Sequence, residues 1–190
     1  DPATPEIYPL SLHDALPILE VKDKVVREPT SIVHRIGNDR QWATLRAVRF
    51  VSRPSHADQL HLDLWWEGIN IARDAGTYSY NQDTPWENSL AGTRVHNTVL
   101  VDGLDQMERT GKFLWLRWAQ AKIIAMADQQ IIAEHDGYRR LGVIHRRSVE
   151  WDGISRWTIM EDRKSVVEGT SGELGGRRTI KKTRSNTIEG

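Results

Sequence analysis

The sequence has no cysteine. That excludes a disulfide scaffold, a cysteine-ligated zinc site and a thiol nucleophile. It leaves the compartment open, because a large secreted domain can do without disulfides. Net charge is also missing: 26 Lys and Arg balance 26 Asp and Glu. A globally basic nucleic-acid binder is disfavoured on that ground. The apolar runs are only a few residues long, far short of the ~20 needed to span a bilayer, so no membrane span is expected. No basic-then-apolar signal pattern stands at the N-terminus. What is present is 190 residues, 38% of them hydrophobic, with eight Trp against two Phe. That length suits one domain with a real core and is short for two.

Charge is unevenly spread. Residues 163–190 hold seven Lys and Arg and three Glu, while the remaining 162 residues carry a net −4. The tail's Gly-Gly, its Ser and Thr and its paired basic residues predict a solvated or disordered segment rather than a packed unit. Both ends, DPATPEIYPLSLHDALPI (1–18) and the 163–190 tail, resemble translated sequencing-adapter read-through of the kind met in metagenomic fragments. The Ser11, His13 and Asp14 run is therefore set aside; triad members converge from separated segments in any case. The domain is expected to span residues 19–162, cut from a longer parent.

The middle reads as strands. Gln59–Trp66 alternates, with Leu60, Leu62 and Leu64 on one face and His61, Asp63 and Trp65 on the other. Glu67-Gly68 predicts a hairpin turn, with Ile69–Ala72 returning. Further strands are expected at Trp42–Val51, Val95–Val101, Phe113–Trp118, Ala119–Met126, Gln130–His135, Val143–Val149 and Trp157–Met160. Ala119–Ala127 also fits a short helix. Asp102-Gly103, Asp136-Gly137 and Asp152-Gly153 punctuate the series. Many short strands at regular spacing predict an all-β fold, an antiparallel β-sandwich.

Candidate chemistry centres on histidine. His56 stands ahead of a strand, Asp74 follows 18 residues on, and His96 comes 22 residues later. Two imidazoles and a carboxylate from separate segments can close three corners of a tetrahedral metal site, and that nitrogen and oxygen mixture suits zinc. A second pattern uses His56, Asp58, His145 and Arg156. It resembles the facial triad and arginine of 2-oxoglutarate iron oxygenases, which are also β-sandwiches. The two readings differ in their carboxylate. A third is a non-catalytic carbohydrate-binding sandwich using the Trp residues.

SHADQLHLDLWWEG, DAGTYSYN, TRVHNTVLVDG with DQM after it, EHDGY and HRR follow one another over most of residues 53–160. In that order they resemble the C-terminal β-domain of the heparinase II/III-like polysaccharide lyases. The resemblance implies cleavage of a uronic-acid polysaccharide, such as a heparan-type glycosaminoglycan or alginate, by β-elimination. It implies a mainly structural zinc held by His56, Asp74 and His96. It also implies a bacterial periplasmic or secreted setting, and an N-terminal α/α-toroid domain that supplies most of the catalytic groups. That domain has no counterpart before residue 40, so the chain alone is expected to be inactive. Some family members carry a substrate-facing His two residues before the first metal His; Pro54 stands there. The remaining candidates are Tyr80 as a hydroxyl donor, Asn97 and Arg146 as carboxylate contacts with Arg147 beside them, and Trp65, Trp86 and Trp115 as sugar platforms.

Overall fold

The computed structural model describes residues 32–77, 79, 83, 88–165 and 184–189. Among these there are eleven strands and no α-helix. β1 (Val33–Gly37), β2 (Gln41–Arg46), β3 (Leu62–Trp66) and β4 (Ile69–Ala72) form one antiparallel sheet in that order. β5 (Glu108–Gly111) and β6 (Leu114–Leu116) form a short ribbon. The large sheet contains β7 (Ala121–Ala127), β8 (Gln130–His135), β9 (Val143–Trp151), β10 (Arg156–Ser165) and β11 (Arg184–Glu189), in the order β11-β10-β9-β8-β7. Every pairing is antiparallel.

Strand alternation builds the core. Ala43 and Leu45 of β2 and Leu62 and Leu64 of β3 turn inward from the small sheet. They meet Ala121, Ile131, Ala133, Val149, Trp157 and Ile159 of the large one. Each fully buried Leu, Ile or Val side chain there contributes about 1.5–3 kcal/mol. This is the expected sandwich. A second, smaller core of Ala57, Ala91, Met107, Trp115 and Ala119, with Phe50 against it, lies under the loops around His56 and His96.

The strand expected at Ala119–Met126 is present as Ala121–Ala127, paired along β8, and the alternative short helix does not form. Other expected elements changed. Val95–Val101 is not a strand. A 3-10 turn covers Thr93–Val95, and only an isolated Val101–Leu104 bridge follows, closed over Asp102-Gly103. Trp42–Val51 stops at Arg46, and Gln59–Trp66 begins only at Leu62. The cause is two fully buried glutamines that replace ladder bonds. Gln59 Oε1 accepts from the Val48 amide, and its Nε2 donates to the Val48 and Ala119 carbonyls. Gln106 does the same for Gln59, accepting from its amide and donating to its carbonyl. β10 runs to Ser165, and the 184–189 segment pairs along its free edge from Arg156 to Glu161.

Candidate metal centre

The β3–β4 hairpin positions one side of the site. Glu67 and Gly68 take φ 48° and 81°, the left-handed pair that a two-residue hairpin requires. His61 enters the hairpin and Asp74 leaves it. His56 lies on the preceding loop, and His96 caps the 3-10 turn at Thr93–Val95.

His96 is the hub and is buried. Its Nδ1 lies 2.7 Å from Asp74 Oδ1, and its Nε2 lies 3.2 Å from His56 Nδ1. The carboxylate only accepts, so His96 Nδ1 carries the proton and donates, leaving Nε2 bare toward His56. His56 Nε2 is 3.3 Å from the Thr77 hydroxyl. Two groups of donors stand close enough to share an ion: His56, Asp58 and His96 on one side of the ring, and His61, Asp74 and His96 on the other. His56, Asp74 and His96 are thus brought together as a chain through the two nitrogens of His96. They do not by themselves form one of these groups.

Asp58 Oδ1 accepts from Arg46 Nε at 2.9 Å. His61 Nδ1 accepts from the Asn97 amide at 3.0 Å. Burial pushes the His56 and His61 imidazoles below their ordinary value, against the opposing pull of Asp58 on His56 and of Asp74 on His61. The neutral ring that results is the form that ligates a metal. Burial raises the Asp74 carboxyl, but the His96 hydrogen bond and the neighbouring imidazoles outweigh it and hold the group below the usual aspartate range.

The nitrogen and oxygen donors on the His56 side are compatible with a divalent ion. Zn–N bonds of about 2.0–2.1 Å place two tetrahedral ligands about 3.3 Å apart, close to the 3.2 Å between His56 Nδ1 and His96 Nε2. On the other side, the lone pair of His61 Nδ1 is already spent on Asn97. The Asp74–His96 bond is the carboxylate–histidine pairing that fixes a ligand's tautomer.

A model of the family described as "Heparinase II/III-like, C-terminal" matches residues 33–171. The chain belongs to this family. Two solved structures share the fold. The heparinase III BT4657 gene product is 20% identical, with a TM-score of 0.53, over 72% of this chain and 22% of that one. Heparan sulfate lyase HepC from Pedobacter heparinus is 19% identical, with a TM-score of 0.50, over 66% of this chain and 19% of that one. The chain therefore spans about a fifth of the length of each. No curated protein sequence matches.

Other sequence-derived candidates take different roles. His145 is buried; its Nε2 lies 2.6 Å from Glu161 Oε2 and its Nδ1 3.0 Å from His135 Nε2. Both nitrogens are taken, and His145 stands in neither metal-capable group, so the His56, Asp58, His145 and Arg156 arrangement is not assembled. Arg156 opens β10 at an exposed position. Trp115 is core rather than a sugar platform, 2% exposed, with its indole N–H on the Ser55 carbonyl. Trp65 stacks on Trp42 with centroids 5.4 Å apart and donates to Asp63. Asn97 Nδ2 donates to the Leu62 and Arg73 carbonyls, so its side-chain donors pin the loop instead of reaching for a carboxylate. Arg146 is bonded through Nε and Nη2 to Glu134. Tyr80 and Trp86 lie outside the described residues.

Sequence reasoning missed His61 as part of this centre, and it assigned Asp58 only to the oxygenase pattern. The available signal for His61 was its place on the polar face of QLHLDL, five residues after His56.

Proposed function

We propose that this chain is the β-domain of a polysaccharide lyase that cleaves a uronic-acid polysaccharide by β-elimination. The observation that carries the reading is the histidine cluster at the loop end of a heparinase II/III-like sandwich. In the reaction a base takes the proton beside the uronate carboxylate, and the electron pair forms the ring double bond. The glycosidic C–O bond breaks, and its oxygen receives a proton. Charge on the carboxylate must be neutralised as the carbanion character develops.

Within this reading His56 and His96 hold a structural divalent ion, zinc by donor chemistry. Asp58 completes the ligand set on the His56 side, and Asp74 supports His96 and stands next in line as a ligand. An ion held there would tie the His56 loop to the His96 turn. Tyr80, six residues after Asp74, is the hydroxyl donor we assign to the sugar. The catalytic acid and base otherwise come from a helical domain outside this chain, and we place the body of the β-domain within residues 19–162, with the pairing of β10 and the 184–189 segment continuing beyond it. The acidic polysaccharide lies between the two domains.

The test is lyase turnover. Purified chain mixed with heparan sulfate or alginate should give no growth of ultraviolet absorbance from unsaturated uronate. The same β-domain fused behind a family helical domain should give steady growth. Turnover by the chain alone, or a fusion that folds and binds polysaccharide without eliminating, contradicts the proposal.

A further inference from the structure

Away from the histidine cluster, a pocket of about 380 Å³ is lined by Arg117, Trp118, Asp136, Gly137, Arg139 and Arg140. It shares no residue with either metal-capable group.

Its charge is not cancelled internally. Arg140 spends its guanidinium on neutral acceptors, with Nη1 donating to the Gly137 carbonyl at 3.0 Å and Nη2 to the Asp105 carbonyl at 2.7 Å. The fork is held in place and keeps its full charge. Arg139 is exposed and has no side-chain partner among the described residues. Arg117 meets Glu108 only at 3.4 Å, between two exposed side chains, a pairing of little strength. The one carboxylate in the lining, Asp136, accepts from the Gln120 amide. Three guanidinium groups and one carboxylate thus line the pocket and leave it with excess positive charge.

Part of the wall is fixed by contacts. Trp118 donates its indole N–H to the Trp115 carbonyl at 2.8 Å, which fixes the ring while leaving it 36% exposed. A Cβ on Gly137 would stand 2.7 Å from the Gln106 carbonyl oxygen and 2.8 Å from Ala119 Cβ, so that wall is packed to contact. Arg117 is held at φ 53°, an uncommon conformation for a side-chain-bearing residue.

We propose that this pocket is a saccharide subsite for a sulfated or carboxylated sugar unit. Guanidinium forks match planar or tetrahedral oxyanions. A fixed indole supplies the apolar surface on which the C–H face of a sugar ring packs. A bare inorganic anion would use the arginines and leave the indole idle. The choice of a sugar rests on the polysaccharide-lyase reading. The pocket is wired to the cluster loops: Trp118 bonds Trp115, which bonds the Ser55 carbonyl next to His56. Asp105, whose carbonyl holds Arg140, accepts the Thr93 amide at the start of the turn that ends at His96.

The test is calorimetric titration of the 190-residue chain with a heparin-derived tetrasaccharide at low salt. Wild type should bind. Arg139→Glu and Trp118→Ala should each weaken binding about tenfold, while Arg40→Glu, the same charge change at a distant hairpin, should stay within about twofold. Absence of binding by wild type, or Arg139→Glu within about twofold of it, overturns the proposal. Loss on Arg139→Glu with Trp118→Ala unaffected marks a plain anion site and overturns it too. His56→Ala, titrated in parallel, should lose its metal and still bind the tetrasaccharide. That result separates failure of the pocket from failure of the metal reading.

Discussion

Arg147 shows what a single side chain does here. It projects from β9 into the interior and bonds Glu161 of β10 through Nε at 2.7 Å. Its Nη1 donates to the Leu60 carbonyl and, at 2.6 Å, to the Asn97 carbonyl. One guanidinium thus ties the large sheet to the loops beside His61 and His96. Arg147→Ala would leave a mostly buried carboxylate without its cation and the Leu60 carbonyl without its donor, while the Asn97 carbonyl would keep only the Leu62 amide. We expect a loss of about 3–5 kcal/mol in urea unfolding; a loss under about 1 kcal/mol, typical of a surface pair, would contradict this. Spacing offered His56 with either Asp58 or Asp74, and the family resemblance chose Asp74 with His96, because residue type and order survive in sequence. It did not tell which nitrogen of His96 faces which neighbour, since backbone direction sets that. Nor did it separate Arg146 from Arg147. Strand alternation sends the first to Glu134 and the second inward to Glu161, and the sequence shows the adjacency without the facing.

The β3–β4 hairpin is the element on which the site depends. Gly68 sits at φ 81° with open space where a Cβ would stand, so a substitution there meets strain without a clash. Gly68→Ala should cost about 1–2 kcal/mol, and Gly68→Asn clearly less, by chemical denaturation. Equal costs would mean the turn is held by something other than backbone conformation. This hairpin was legible because a turn pair between alternating runs is a local signal. Val95–Val101 was misread for the opposite reason. Its residues have strand composition, but the segment reaches its neighbours through side chains, Asn97 Nδ2 to the Leu62 carbonyl and Thr98 Oγ1 to the Gln59 carbonyl, instead of through a backbone ladder. A side chain acting as a surrogate strand leaves no periodicity to read. β1, β5 and β11 were not anticipated: β1 is a short, half-exposed edge, β5 is a short and mostly exposed polar strand, and β11 lies in a segment whose composition predicts no packed unit.

At the scale of the molecule, two sheets enclose one core, and a second core supports the loops. Buried histidines run through this arrangement. His135 takes the Gly137 amide on Nδ1 and donates from Nε2 to His145, which donates to Glu161. Burial holds His135 well below its ordinary value of 6.5, helped by the His145 ring and the Arg147 charge. Burial also lowers His145, although Glu161 opposes it. Protons therefore bind the unfolded chain first. Stability should be level above about pH 6.5 and fall on acidification, by up to about 1.4 kcal/mol per pH unit for each histidine kept neutral. Burial raises the Glu161 carboxyl, but Arg147 and His145 outweigh it, so its contribution holds above about pH 4.5 and is lost only as pH falls through its lowered value. Melting curves with chelator present should show Tm falling from pH 7 to pH 5; a rise would contradict this sign. The overall architecture was readable from strand spacing and turn pairs, whereas this buried polar network was not, because it joins residues whose facing only the folded sheet defines.

The proposed divalent ion at the cluster around His96 is checked by elemental analysis of chain purified without chelator and dialysed against metal-free buffer. About one equivalent of a zinc-like metal per chain is expected, lost in His56→Ala while the β-sheet circular dichroism persists. A folded wild-type chain with no stoichiometric metal, even after incubation with zinc, would contradict it.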